Sequence, residues 1–297
     1  MIRRILLASA GAMGLVGSAF AADLTPHPLP PPPPPPPMWT GFYIGINAGY
    51  EWAASTGINT ASANVFSVPG LTGDIGGQVA LLGTGVGSLD PNGFIGGGQI
   101  GYNYQFYNNF LVGLEADIDG IAGASKEVTF GQTGTVGELI PVPSSGFLDW
   151  SKSINYLGTV RGRLGWLFTP TLLVYGTGGL AYGGVSSHTG IIETLGYTDT
   201  PSPFGGFGTI SNTRVGWTAG GGIEWMFLPN WSAKVEYLYY DLGSVSYNFA
   251  VPQSSDTVGL ETIALSRTST RFNGNVVRAG INYHFNWGAP APVVAKY

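Results

Sequence analysis

From Thr213 to Asp241 the chain alternates apolar and polar residues with a period of two, through two arms joined at Leu228, Pro229 and Asn230. Val215, Trp217, Ala219, Gly221, Ile223, Trp225 and Phe227 take the odd positions of the first arm, and Trp231, Ala233, Val235, Tyr237 and Tyr239 those of the second. Arg214, Thr218, Glu224, Ser232, Lys234 and Glu236 take even positions. This period gives extended strands with one apolar and one polar face. Each arm outlasts the ~5–6 residues of a strand in a water-soluble sheet. It matches the ~9–11 residues with which a tilted strand crosses a bilayer. Trp225, Phe227 and Trp231 at the turn, and Trp217, Tyr239 and Tyr240 at the far ends, predict the aromatic girdles of a transmembrane β-barrel. A turn centred on Pro229 sets Glu224 opposite Lys234 on the inner face, a favourable cross-strand pair.

The same pattern recurs over Gly41–Trp52, Gly93–Phe106, Phe110–Asp119, Ile154–Phe168, Leu172–Val185 and Val276–Phe285. With the two arms these make eight strands. Three connections are tight: Tyr107-Asn108-Asn109, Thr169-Pro170-Thr171 and Leu228-Pro229-Asn230. Between them lie four long segments rich in Gly, Ser, Thr and Pro: 53–92, 121–153, 187–212 and 249–271. Short turns alternating with long loops predict an all-β, eight-stranded antiparallel outer-membrane barrel, with both termini in the periplasm and four loops outside. The sheet must close, because lipid offers an open edge no hydrogen-bond partner.

Only 10% of the residues are charged, glycine reaches 48 and cysteine is absent, which excludes disulfides and thiolate metal sites. Met1–Ala21 reads as a cleaved signal peptide: Arg3 and Arg4, a short apolar core, then Ala19-Phe20-Ala21. Residues 22–38 read as a Pro-rich periplasmic spacer in extended polyproline II form, 39–285 as the barrel, and 286–297 as a tail. Without Arg3 and Arg4 the net charge is −7, which argues against nucleic acid as a partner.

A barrel of eight strands leaves an interior just filled by side chains. The alternation aims Glu51, Glu115, Asp117, Arg161, Arg163, Glu224, Lys234, Glu236 and Arg278 inward. This mixed-sign set is expected to form an ion-pair plug; a narrow, weakly cation-selective pore is the alternative. Of the three histidines, His27 lies in the proline tract and His284 points inward near the periplasmic rim. His188 follows Ser186 and Ser187, but no carboxylate stands near in sequence to orient it as a catalytic base. A lipid-modifying activity on those residues is therefore the weaker reading, and no enzyme is expected. The acidic residues of the long segments, Glu193 among them, read as keeping the loops soluble or attracting cations.

Trp39-Thr40-Gly41-Phe42-Tyr43-Ile44-Gly45-Ile46-Asn47-Ala48-Gly49-Tyr50 resembles the first strand of the alphaproteobacterial outer-membrane immunogenic proteins, a porin-like or opacity-like group with an OmpA-type eight-stranded barrel. Val160–Trp166 and Val277–Phe285 resemble later strands of that group. The resemblance implies an abundant, surface-exposed envelope protein with structural and host- or environment-facing roles. It implies a barrel-assembly signal in the last strand, at Tyr283 and Phe285, although here a Pro/Ala-rich tail follows. Its implied partners are outer-membrane lipid and lipopolysaccharide, the barrel-assembly machinery and further copies of the chain. Some relatives are described as haem binders, for which His188 or Tyr197 would be the candidate ligands; the residues by themselves imply no cofactor.

Overall fold

The computed structural model describes residues 39–67, 75–107, 109–136, 142–195, 202–255 and 259–285. The signal segment Met1–Ala21, the spacer 22–38, the tail 286–297 and Tyr197 lie outside the described residues. Among the described residues are eleven strands and one helix: β1 (Gly41–Ala53), β2 (Gly57–Ser67), α1 (Ile75–Leu82), β3 (Gly85–Ser88), β4 (Asn92–Phe106), β5 (Phe110–Ala122), β6 (Ser125–Val136), β7 (Val142–Thr169), β8 (Leu172–Leu195), β9 (Ser202–Leu228), β10 (Trp231–Ser255) and β11 (Gly259–Phe285).

Eight of these strands form a ring in the order β1-β4-β5-β7-β8-β9-β10-β11, and β11 returns to pair with β1. All neighbours are antiparallel. The seam sets Phe42 opposite Phe285 and Tyr50 opposite Val277, while the other edge of β1 sets Phe42 opposite Tyr102. Lys234 stands opposite Glu224, the register expected from a turn at Pro229.

The outer surface of the ring is apolar because lipid is its solvent. Ile46 and Leu164 are each 70% exposed and Phe94 73%, on a face that water would penalise. Phe110–Ile118, 156–166, Leu172–Tyr182, 215–227 and 231–239 supply the same belt on β5, β7, β8, β9 and β10. Aromatic contacts mark its rims: Phe110–Trp166 and Trp231–Tyr283 at the turn side, Tyr50–Phe94 and Trp217–Tyr239 at the far side. Tyr240 does not join the girdle. It is buried, and its hydroxyl donates to Glu51 at 2.5 Å.

The four long connections are largely ordered as strand. β7 to β11 run 24 to 28 residues, more than twice what a membrane crossing needs. Their upper halves, with β2, β3, β6 and α1, build an extension beyond the far girdle. β2 pairs with β11 and β3 with β2; β6 pairs with β7. The extension has its own apolar core of Ile58, Ala80, Leu89, Leu148, Trp150, Ile191, Phe249, Val251 and Ala264.

Two bulges hide this core from a period-two reading. An extra residue on β10 between Asp241 and Ser244, with Gly243 at φ +80, and another on β7 between Ile154 and Tyr156, shift the alternation by one. Below the bulges, apolar side chains face out to lipid: Val235, Tyr237 and Tyr239. Above them, Val245, Phe249 and Val251 face in, and Ser244, Ser246 and Asn248 face out to water.

Candidate functional site in the barrel lumen

Period two carries the polar face of each spanning strand inward, and the register decides which charges meet. Glu115 and Asp117 on β5 stand beside Arg161 and Thr159 on β7. Glu236 on β10 stands beside Arg278 on β11. Lys234 and Glu224 lie one pair lower, toward the turn between β9 and β10.

Arg161 holds three carboxylates at once. Its Nη2 donates to Glu115 Oε1 at 2.5 Å and to Asp117 Oδ2 at 2.8 Å, and its Nη1 to Glu236 Oε1 at 2.8 Å. Its Nε donates to Thr159 Oγ1. Arg278 bridges Asp117 at 2.7 Å, Asp119 at 2.5 Å and Glu236 at 2.9 Å. Lys234 Nζ donates to Glu115 Oε1 at 2.9 Å. Arg163 reaches Glu224 at 2.6 Å and the Tyr43 hydroxyl at 2.7 Å, and its guanidinium stacks 3.9 Å above the Tyr175 ring. Glu224 thus pairs with Arg163 rather than with Lys234 across the strand. All of these groups are at most 5% exposed. Moving an ion out of water costs several kcal/mol unless partners compensate; here each charge but Asp119 has two or more, and Asp119 is held through Oδ2 by Arg278.

Polar side chains continue the network along one wall. Asn282 Nδ2 donates to Glu224 Oε1, Gln99 Nε2 to Asn282 Oδ1, and Asn47 Nδ2 to Gln99 Oε1. The Ser232 hydroxyl donates to Glu224 at 2.5 Å, and its oxygen lies 2.9 Å from His284 Nε2.

The charged layer lies between two apolar ones. Toward the turns, Trp39, Leu111, Leu167, Leu173, Tyr175 and Met226 pack together, and Trp39 Nε1 donates to the Pro170 carbonyl across the mouth. Toward the extension, Ile95, Ile154, Leu157, Val185, Leu238, Tyr240, Phe272 and Val276 form the second layer.

Of the residues named from the sequence, Glu115, Asp117, Arg161, Arg163, Glu224, Lys234, Glu236 and Arg278 stand in this one layer. Glu51 stands apart, higher up, with Tyr240. Asp119, Tyr43 and Tyr175 belong to the layer and were not singled out, although alternation puts Asp119 and Tyr43 on the inward face. Tyr283 and Phe285 lie on β11 beside the seam, with ring centroids 5.1 Å apart. Ser187 and His188 fall on opposite faces of β8, as neighbours in a strand must. Ser187 is buried against the Tyr247 hydroxyl, while His188 Nδ1 pairs with Thr209 Oγ1 on the outer face.

A family model described as the outer membrane protein beta-barrel domain matches residues 37–285. The 31 kDa outer-membrane immunogenic protein of Brucella melitensis biotype 1 is 33% identical over 289 residues, covering 96% of this chain and 100% of that protein. The 22 kDa outer membrane protein of Rhizobium leguminosarum bv. viciae is 30% identical over 173 residues, covering 55% of this chain and 64% of that one. Among solved structures, the outer membrane protein OprG of Pseudomonas aeruginosa aligns with a TM-score of 0.33 at 11% identity, over 83% of this chain and 97% of its own. With its closed antiparallel ring, lipid-facing belt and these relatives, the chain belongs to the outer membrane protein beta-barrel family and is a protein of the outer membrane.

Proposed function

We propose that this protein is a structural, surface-exposed barrel of the cell envelope, that its lumen is closed to ions, and that it is not an enzyme. The observation carrying this reading is the buried network of Arg161, Arg163, Lys234 and Arg278 with Glu115, Asp117, Asp119, Glu224 and Glu236, bounded on both sides by packed apolar side chains. An ion entering the lumen would have to displace a charge already held by two or three partners, in a space that side chains fill. What the protein offers its surroundings is then its outer surface: the lipid-facing belt, and the extension beyond it. On this reading its partners are outer-membrane lipid and lipopolysaccharide, the barrel-assembly machinery that delivers it, and further copies of itself.

Refolded protein in planar bilayers tests this. Silence at all holding potentials is expected. Steady, cation-selective open events would replace the closed barrel with a narrow pore.

A further inference from the structure

α1 roofs the interior of the extension. It buries Ala80 in the apolar core there and Leu82 beside it, while Leu81 faces out, 67% exposed. Its C-terminal end is slung between two strands that do not pair with each other. Gln132 Nε2 on β6 donates to the Leu82 and Thr84 carbonyls at 3.2 and 2.6 Å, and Ser62 Oγ on β2 donates to the Gly83 carbonyl at 2.9 Å. The Leu82 backbone rests on Gly146 of β7, where a Cβ would stand 2.7 Å from the Leu82 carbonyl oxygen. The chain then runs on over Trp150. A Cβ on Gly87 of β3 would stand 2.6 Å from that indole, which is fully buried and donates through Nε1 to Thr60 Oγ1 at 2.8 Å.

At the end of α1 stands Glu193 of β8, 1% exposed. A Cβ on Gly83 would meet its Oε1 and the Ser62 hydroxyl, each at 3.0 Å, and its Oε2 has no hydrogen-bond partner among the described residues. Its neighbours in register are Gly146 on β7 and Phe204 on β9, and the side chains that reach the end of α1 from β2 and β6 are the uncharged Ser62 and Gln132. Among the described residues no charged group bears on the carboxyl, and burial alone raises it from 4.5 to about 8.

Two effects oppose the ionised form where it stands. A carboxylate out of water without a cation is costly, and the carbonyl end of a helix carries partial negative charge. Both are relieved when α1 lifts and water reaches the carboxylate. The closed form therefore binds the proton more tightly than the open one, and closure is strongest in acid. It weakens by at most about tenfold per pH unit as the pH rises from 4.5 toward about 8, and no further above that. Release bares Trp150 and the hydroxyl pairs Thr60–Thr268 and Ser62–Ser266.

We propose that α1 is a lid on the extension, kept shut by the neutral carboxyl of Glu193 and released when that carboxyl ionises. The chain has no cysteine, so Ala80→Cys places one reporter under the lid of the refolded full chain. Its reaction with a small thiol reagent is timed at pH 6 and pH 8.5, with and without Glu193→Gln in the same chain. Dividing the first rate by the second cancels the ionisation of the thiol itself. That ratio is expected to rise about tenfold or more between the two pH values. Ala181→Cys, buried in the apolar layer below the extension, is expected to show no such rise. Heat-modifiable gel mobility confirms that each variant is folded. Acrylamide quenching of Trp150, taken as the difference between the chain and its Trp150→Phe variant, repeats the measurement without a cysteine. A ratio at Ala80→Cys that does not change with pH overturns the proposal, even if Glu193→Gln slows the reaction equally at both values. A parallel rise at Ala181→Cys would make the opening a loosening of the whole barrel, and overturns it too.

Discussion

Removing Arg161 leaves Glu115, Asp117 and Glu236 each short of one partner in a buried layer. Breaking a buried pair from one side costs about 3–5 kcal/mol, whereas replacing a whole network by apolar groups can be neutral. Arg161→Met is therefore expected to lower the urea stability of the refolded barrel by several kcal/mol. Restoring neutrality with Glu115→Gln in the same chain is expected to recover part of that loss. Glu193 gives a prediction about pH. Far from solvating a loop, it is buried in the extension beside α1, where a Cβ on Gly83 would stand 3.0 Å from its Oε1, and its Oε2 has no hydrogen-bond partner among the described residues. Burial pushes its carboxyl from 4.5 up to about 8. A value raised on folding gives stability that is complete below pH 4.5 and is lost as the pH climbs through about 8. The upper bound on that loss is on the order of 5 kcal/mol. Unfolding measured between pH 5 and 9 should show this slope in the native protein and lose most of it in Glu193→Gln. At this scale the alternation of the strands was enough to name eight members of the lumen layer. It could not name their partners: Glu224 faces Lys234 in register yet binds Arg163, because a long guanidinium reaches across the narrow lumen while the ammonium is drawn to Glu115.

The spanning parts of the strands were legible because lipid imposes one rule on all of them, apolar outward at every second residue. A charge on that face should therefore be costly. Val235, 59% exposed on β10 midway between the girdles, is the position to test. Val235→Arg is expected to lose about 2–4 kcal/mol in detergent-to-vesicle folding titrations, while the same change at Val86, exposed on β3 in the extension, should cost little. The upper halves of β7 to β11 were not legible as strands. On β7 and β10 the buried face of the upper half carries Leu148, Trp150, Val245, Phe249 and Val251, the reverse of the segments below, while on β8 and β11 it is largely Ser and Thr, with Ser187, Thr189, Ser266 and Thr268 inward. On β7 and β10 one bulge residue also offsets the count where the solvent changes. A single template therefore reads the membrane-spanning half of such a strand and loses the pattern in the other half, although that half holds Leu148, Trp150, Ile191, Phe249 and Val251. Tyr240 is the same error in miniature: an aromatic at the expected girdle height, but on the inward parity, where it meets Glu51.

The ring closes only because β11 meets β1, so Phe42 and Phe285 become neighbours from opposite ends of the described chain. A chain lacking Val276–Phe285 would leave the edges of β1 and β10 bare in hydrocarbon. It is expected to give no heat-modifiable species in detergent gels. The order of synthesis then matters. Strand by strand, a growing polypeptide could enter the bilayer only with unsatisfied amides, so no partial length is a stable resident there. β11 leaves the ribosome long after β1, its neighbour in the seam, and whatever carries the chain must keep it out of lipid until both are in hand.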